Sequence, residues 1–272
     1  MLNILIVAKD SLVEINRTIL SLESNISQSN YYKVLVKILY SKSSNSAFSF
    51  DLLNNLNLNI DYKLSDDCGV YSAMNNALES VENHYSMFLN SGDIVTDNIN
   101  FLISKLSKEK HPKDIFMFNS FHRDLSFRKN NRYISRFSLR SYFPIFGMPC
   151  EHCCFISPTY LWKIFNYDER LKHAADYKLI LNIINYAYNN NIKINDFRNL
   201  YLVEPDLYGL TAKKTYFDSI KEELYALNTS NDLFLLKIIG TFYRIAKLVL
   251  RFIIFKINFF LKYIFLFPIS KK

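Results

Sequence analysis

The chain reads as an α/β protein, a Rossmann-like, mostly parallel sheet with helices on both faces, followed by an amphipathic helical tail. Three observations carry that reading. Short apolar runs alternate with stretches of helical periodicity from Asn3 to Val203. Several of the runs are uninterrupted, as strands buried on both faces are. Half of the 272 residues are hydrophobic, while Gly and Pro are scarce, so a large core is affordable and disorder is excluded.

Asn3–Ala8 opens the chain as a strand, and Glu14–Leu22 follows as a helix with Ile15, Ile19 and Leu22 on one face. Tyr32–Tyr40 is a second strand leading into a polar loop, Ser41–Ser46. A short helix is expected over Asp51–Leu58 and a third strand over Ile60–Lys63. An acidic loop and Gly69 then introduce a helix over Ser72–Glu82, where Ala73, Met74, Ala77, Leu78 and Val81 share a face. Tyr85–Asn90 is a buried strand through Met87, Phe88 and Leu89. Asn98–Leu106 is a helix and Asp114–Asn119 a strand. Phe155–Pro158 is a strand running into a helix that Pro158 starts. Tyr177–Tyr188 is a strong helix with Leu179, Ile180, Ile183 and Ile184 inward. Ile192–Val203 closes the sheet or lies beside it. Between them, Phe121–Pro149 is basic and aromatic, with Arg123, Arg128, Lys129, Arg132, Arg136 and Arg140. It reads as a solvated surface or as the wall of a phosphate-facing site.

The net charge of +8 belongs to one end. From Asn231 onward, eight Lys and Arg face one acid, Asp232, and the rest is close to neutral. Residues 1–230 therefore lack the electrostatic footprint of a nucleic-acid partner. The opening MLNILIVAKD has neither the basic start nor the apolar length of a signal peptide. With four cysteines and no export signal, a reduced, cytoplasmic setting is expected. Cys150, Cys153 and Cys154 surround His152 as zinc ligands can, but structural zinc draws ligand pairs from separated positions, which weighs against a metal there.

Two places carry chemistry. Asp93 follows Gly92 where a strand gives way to a loop, the end of an open α/β sheet at which ligands bind. A carboxylate there suits a divalent cation held against a phosphate-bearing ligand. Asp176 precedes a strong helix, where a carboxylate serves either as a general base or as an N-cap.

The surrounding residues carry a resemblance. Asp67 to Asn75 (DCGVYSAMN) and Phe88 to Asp93 (FLNSGD) resemble the nucleotide-sugar half of family 2 glycosyltransferases of the GT-A fold, whose usual form is close to D-K-G-I-Y-D-A-M-N and F-L-N-S-x-D. Pro149 to His152, Phe155, Tyr167 to Glu169 and Ala174 to Tyr177 resemble the acceptor half: P-x-x-H-Q-x-x-F, F-D-E and A-A-D-Y. The resemblance implies a GT-A domain over residues 1–230 and an inverting transfer from a nucleotide-sugar donor to a saccharide or lipid-linked acceptor, in surface-polysaccharide assembly. It implies that Ala8, Tyr40, Asp67, Gly69, Asn75, Asn90, Ser91 and His152 meet the donor, that Asp93 holds Mn or Mg, and that Asp176 is the base.

The chain departs from the pattern in three ways. The family's D-G-x-S-x-D-x-T loop is replaced by Tyr40 to Ser46, so Tyr40 stands where an aspartate contacts the base and Asn45 where a second stands. Tyr40 would stack on the base instead. No D-x-D is present, which leaves Asp93 as the single metal carboxylate. Cys68 and Ser72 replace a lysine and an aspartate. Two further readings stay open: a degenerate GT-A domain acting as a membrane-bound scaffold, and a transferase of another nucleotide-activated group.

In residues 231–272 no uncharged run reaches the roughly 18–20 residues of a spanning helix. At 100° per residue, Lys237, Gly240, Thr241, Arg244, Lys247, Arg251, Asn258 and Lys262 form one stripe, with Lys256 off it and apolar residues elsewhere. A narrow basic stripe on an apolar helix suits an anionic membrane surface, so a peripheral position on the inner face of the cell membrane is expected. The pattern also fits a helix packed on its own domain or on a second subunit of a homo-oligomer.

Overall fold

The computed structural model describes residues 1–9, 12–41, 56–65, 69–109, 111–121, 144–206, 216–230 and 237–250. Its centre is an eight-stranded sheet of β1 (Leu2–Lys9), β2 (Val34–Ser41), β3 (Asn59–Ser65), β4 (Tyr85–Asn90), β5 (Ile94–Val95), β6 (Ile115–Ser120), β7 (Phe155–Pro158) and β8 (Ile194–Glu204). Their order is β3-β2-β1-β4-β7-β6-β8-β5. The first four run parallel, β7 is antiparallel to β4 and β6, β8 is parallel to β6, and β5 is antiparallel to β8. Ile192–Val203 thus closes the sheet.

The strands form where sequence places apolar runs. Leu2, Ile4, Leu5, Ile6, Met87, Phe88 and Leu89 are all buried, as strands covered on both faces must be. Asn3 is a polar exception buried among them; its Nδ2 donates to the Glu82 carbonyl at 3.0 Å, while its Oδ1 has no hydrogen-bond partner among the described residues. The helices are α1 (Leu12–Asn25), α2 (Val70–Glu79), α3 (Ile99–Leu106), α4 (Thr159–Phe165), α5 (Ala175–Asn189) and α6 (Tyr216–Asn228), with α7 over 237–250. Ala73, Met74, Ala77 and Leu78 of α2 and Leu179, Ile180, Ile183 and Ile184 of α5 are buried as their spacing predicts.

Five elements escaped the sequence reading: the 3₁₀ turns Gln28–Lys33, Pro144–Phe146 and His152–Cys154, the two-residue β5 and the whole of α6. The helix expected over 51–58 falls outside the described residues at 51–55, and 56–58 are irregular. Also outside them are Asp67, Cys68, Asn45, the arginines of 123–140 and the tail from Arg251.

α7 corrects the picture of the tail. Arg244 is buried, not lipid-facing. Its guanidinium stacks over the Tyr177 ring at 4.9 Å, pairs with Glu223 at 3.4 Å and donates to the Ile145 carbonyl. Gly240 permits the approach, because a Cβ there would meet Leu227 Cδ2 at 2.7 Å. Within the described residues, Gly240 and Arg244 of the stripe therefore pack toward α5 and α6. Ile239, Phe242, Ile245, Val249 and Leu250 face outward instead. Among the described residues no helix is long and apolar enough to cross a membrane.

Candidate active site

The parallel register brings three expected donor residues to one edge. Ala8 lies beside Tyr40, and Val7 beside Asn90, at the carboxyl ends of β1, β2 and β4. That is where an open α/β sheet binds ligands. Their side chains behave differently. Asn90 is exposed and Ser91 half-buried. Tyr40 is only 3% exposed and belongs to the core, so in this arrangement its ring offers no face to a base. Gly69 is exposed at the start of α2 with φ +92°, a conformation that favours glycine.

Asp93 is not presented to the edge. It is 1% exposed, and its carboxylate closes a turn: Oδ2 accepts from the Asn90 amide at 2.8 Å and Oδ1 from the Asp206 amide at 2.9 Å. Burial, with smaller contributions from the Asp206 and Glu151 carboxylates, pushes its pKa up to about 6. Gly92 sits at φ +98° and packs against Asp206, whose Cβ lies 2.9 Å from where a Cβ on residue 92 would stand. Its amide donates to Thr18 Oγ1 at 2.9 Å. Asp93 thus pins the end of β4 to the chain beyond β8. Among the described residues no group of three or more His, Cys, Asp or Glu is placed to hold a metal ion. A buried carboxylate with both oxygens engaged does not fit the part of a sole metal ligand. Cys150, Cys153 and Cys154 are likewise core residues; the Cys154 thiol donates to the Asn119 carbonyl at 3.2 Å.

The two motif halves meet in space. Phe88, from the first, lies 5.3 Å from His152 and 5.4 Å from Tyr167, ring centre to ring centre. Asn75 bridges them through the backbone: Oδ1 accepts from the Tyr167 amide at 2.8 Å, while Nδ2 donates to the Tyr167 carbonyl at 3.1 Å and to Glu169 at 2.8 Å. Expected among the donor contacts, Asn75 spends its side chain on this junction. His152 Nε2 and the Tyr167 hydroxyl share a hydrogen bond at 2.5 Å. Burial holds the imidazole pKa down at about 4, so it is neutral at pH 7 and carries no charge toward a diphosphate.

Asp176 occupies the first turn of α5, but the N-cap is Ala174, so the capping role weighed for Asp176 is not the one it takes. Its Oδ1 accepts from the Tyr177 amide at 2.8 Å. Tyr71, from the first motif, stacks on Tyr167 at 5.6 Å, close enough to Asp176 to feel its charge. Burial, then the Asp176 charge, raises the Tyr71 pKa, keeping that phenol neutral. Asp168 is pinned by Arg170 and Lys178, both at 2.8 Å, and hydrogen bonding from Arg170 lowers its pKa despite desolvation. Sequence reasoning missed Thr18, Asp206, Glu222 and Arg244. The first, third and fourth lie on helices outside the motifs, and Asp206 is marked only by following the last strand.

No family model and no curated protein matches the chain. Solved structures do. S. aureus TarS, residues 1–349, superposes with a TM-score of 0.59 at 14% identity over 90% of this chain and 70% of that one. The same protein in complex with UDP-GlcNAc gives 0.60 at 14% identity over 88% and 70%. The mannosyltransferase PcManGT from Pyrobaculum calidifontis, in complex with GDP-Man and Mn2+, gives 0.54 at 9% identity over 84% and 63%. At these identities the likeness establishes the fold: this chain has the GT-A fold.

Proposed function

We propose that the chain is an inverting glycosyltransferase that moves a sugar from a nucleotide-sugar donor to a saccharide or lipid-linked saccharide in surface-polysaccharide assembly. The observation that carries this is the convergence of both motif halves on one carboxylate. Tyr71 of the donor half stacks on Tyr167 and feels the Asp176 charge, and Asn75 fastens the donor half to Tyr167. Nucleotide-sugar complexes of proteins with this fold support the donor class.

In this reading Asp176 takes the proton of the acceptor hydroxyl as its oxygen attacks the anomeric carbon. The bond from that carbon to the diphosphate breaks, configuration inverts, and the nucleoside diphosphate leaves. A divalent ion would neutralise charge on that leaving group. The described residues do not assemble a ligand set for it, and no step here depends on one. The test is a donor screen by mass spectrometry with UDP-GlcNAc, GDP-mannose and other nucleotide sugars, with and without EDTA. Transfer from one of them, lost in Asp176→Asn, is the expected result; normal turnover in that variant ends the assignment.

The apolar outward face of α7 supports a peripheral place at an anionic membrane, where a lipid-linked acceptor resides. Affinity for phosphatidylglycerol vesicles, read by cosedimentation, is expected to fall about a hundredfold or more in a Phe242→Ser, Ile245→Ser variant, from the apolar burial removed. Unchanged binding in the variant would take this face of α7 off the membrane, and no binding by the wild type would take the chain off it. The burial of Tyr40 and Asp93 favours one second reading, the scaffold. Titration with UDP and GDP separates them, since a scaffold binds neither.

A further inference from the structure

Six consecutive amides, from Lys172 to Tyr177, lead into the helix that carries Asp176, and side-chain oxygens accept from four of them. The first three converge on one carboxylate. Glu222 Oε2, from α6, accepts from the amides of Lys172 at 3.1 Å, His173 at 2.7 Å and Ala174 at 3.0 Å, and Oε1 accepts from Lys172 at 3.1 Å. The sixth bonds the carboxylate of Asp176 itself. Successive amides aimed at one point form an anion nest, reinforced by the positive end of the helix. α5 has no side-chain cap of its own, so Glu222 supplies one from about fifty residues away, with charge-assisted bonds roughly twice as strong as neutral ones.

The carboxylate is held where it stands by packing. Ala226 and Leu227 of α6 share a buried cluster with Ile145, Ala174, Tyr177 and Leu181. The neighbouring Glu223 pairs with Arg244, which covers Tyr177. Ala174 is itself buried, so losing its acceptor would leave an amide unsatisfied.

We propose that Glu222 is a positioning residue for catalysis: by filling the nest of amides 172–174 it sets the turn that aims Asp176 at the acceptor hydroxyl. This rests on the reading of Asp176 as the base. The test compares Glu222→Ala, Glu222→Gln and Asp176→Asn in the full chain, by turnover of UDP-GlcNAc and by amide hydrogen exchange. Glu222→Ala is expected to lower kcat by about tenfold or more, because a small misplacement of a reacting group has effects of that order. The donor KM should stay within about twofold, and Glu222→Gln, which keeps an acceptor oxygen, should recover part of kcat. Exchange should quicken from Lys172 through Asp176. An inert Asp176→Asn beside an unimpaired Glu222→Ala overturns the proposal and leaves the base standing. An active Asp176→Asn overturns both. If Glu222→Ala does not fold, Glu222→Gln decides by the same kcat and KM split. If UDP-GlcNAc is not turned over, exchange decides: quickening confined to 172–174 overturns the positioning role, and quickening that reaches Asp176 supports it.

Discussion

At the ends of β1, β2 and β4, side chains expected to meet a donor turn inward: Tyr40 into the core and Asp93 into a turn. Around the start of α5 the opposite holds, and helices far along the chain reach in to fix one loop. The difference is one of backbone support. A parallel strand end is positioned by its ladder on both sides and needs little help. A loop entering a helix leaves amides without partners, and those partners must come from elsewhere. The second motif, which carries Asp176, is therefore the one that depends on α6 and α7.

The sharpest way to break the comparison is Asp176→Asn. Transfer should fall by about 100- to 10,000-fold, the range of general-base catalysis, while affinity for the donor nucleotide, measured by calorimetry, changes little. Loss of both together would mean that the halves are not separable. Next is the bridge between them. Asn75→Ala removes both bonds to the Tyr167 backbone, and the urea midpoint should drop by the equivalent of about 2–3 kcal/mol. Asn75→Asp keeps the acceptor but not the donor and should lie between. A donor-contact role alone would leave the midpoint where it is.

The fold was legible because parallel strands write themselves as apolar runs: Tyr85–Asn90 has the bounds that sequence gives it, and α2 and α5 differ from expectation by a turn or less. β5 escaped because two residues carry no period. α6 escaped because its apolar face is short and its position is set by contacts with Ile145 and Tyr177. Asp176 and Asp93 could be singled out by type and place, but not the burial of Asp93, since Asp206 and Asn90 reach it through main-chain amides that have no sequence signature. The stripe was read as a face that suits a lipid surface or packs on its own domain, and Gly240 and Arg244 of α7 pack inward. An arginine fits a buried aromatic pocket as well as a lipid headgroup, and only the close approach allowed by Gly240 decides between them.

The smallest effect is a pH dependence in which the two halves oppose each other. Asp93 has a folded pKa of about 6, above the roughly 3.9 of an unfolded aspartate. The folded state holds its proton more tightly, so this contribution is complete below about pH 4 and is lost as pH rises through 6. His152 has a folded pKa of about 4, below the roughly 6.5 of an unfolded histidine. Its contribution is complete above about pH 6.5 and is lost as pH falls through 4. Each is worth at most roughly 3 kcal/mol at 1.36 kcal/mol per unit, with opposite sign over the same window, so this pair gives the wild-type urea midpoint little net slope between pH 4 and 6.5. Single substitutions should unmask the slopes. His152→Gln leaves Asp93 and should make stability fall with rising pH. Asp93→Asn leaves His152 and should make it climb, from a lower starting point because an amide nitrogen now faces one of the two donors. If both variants keep the same slope, the two burials are not what sets these titrations.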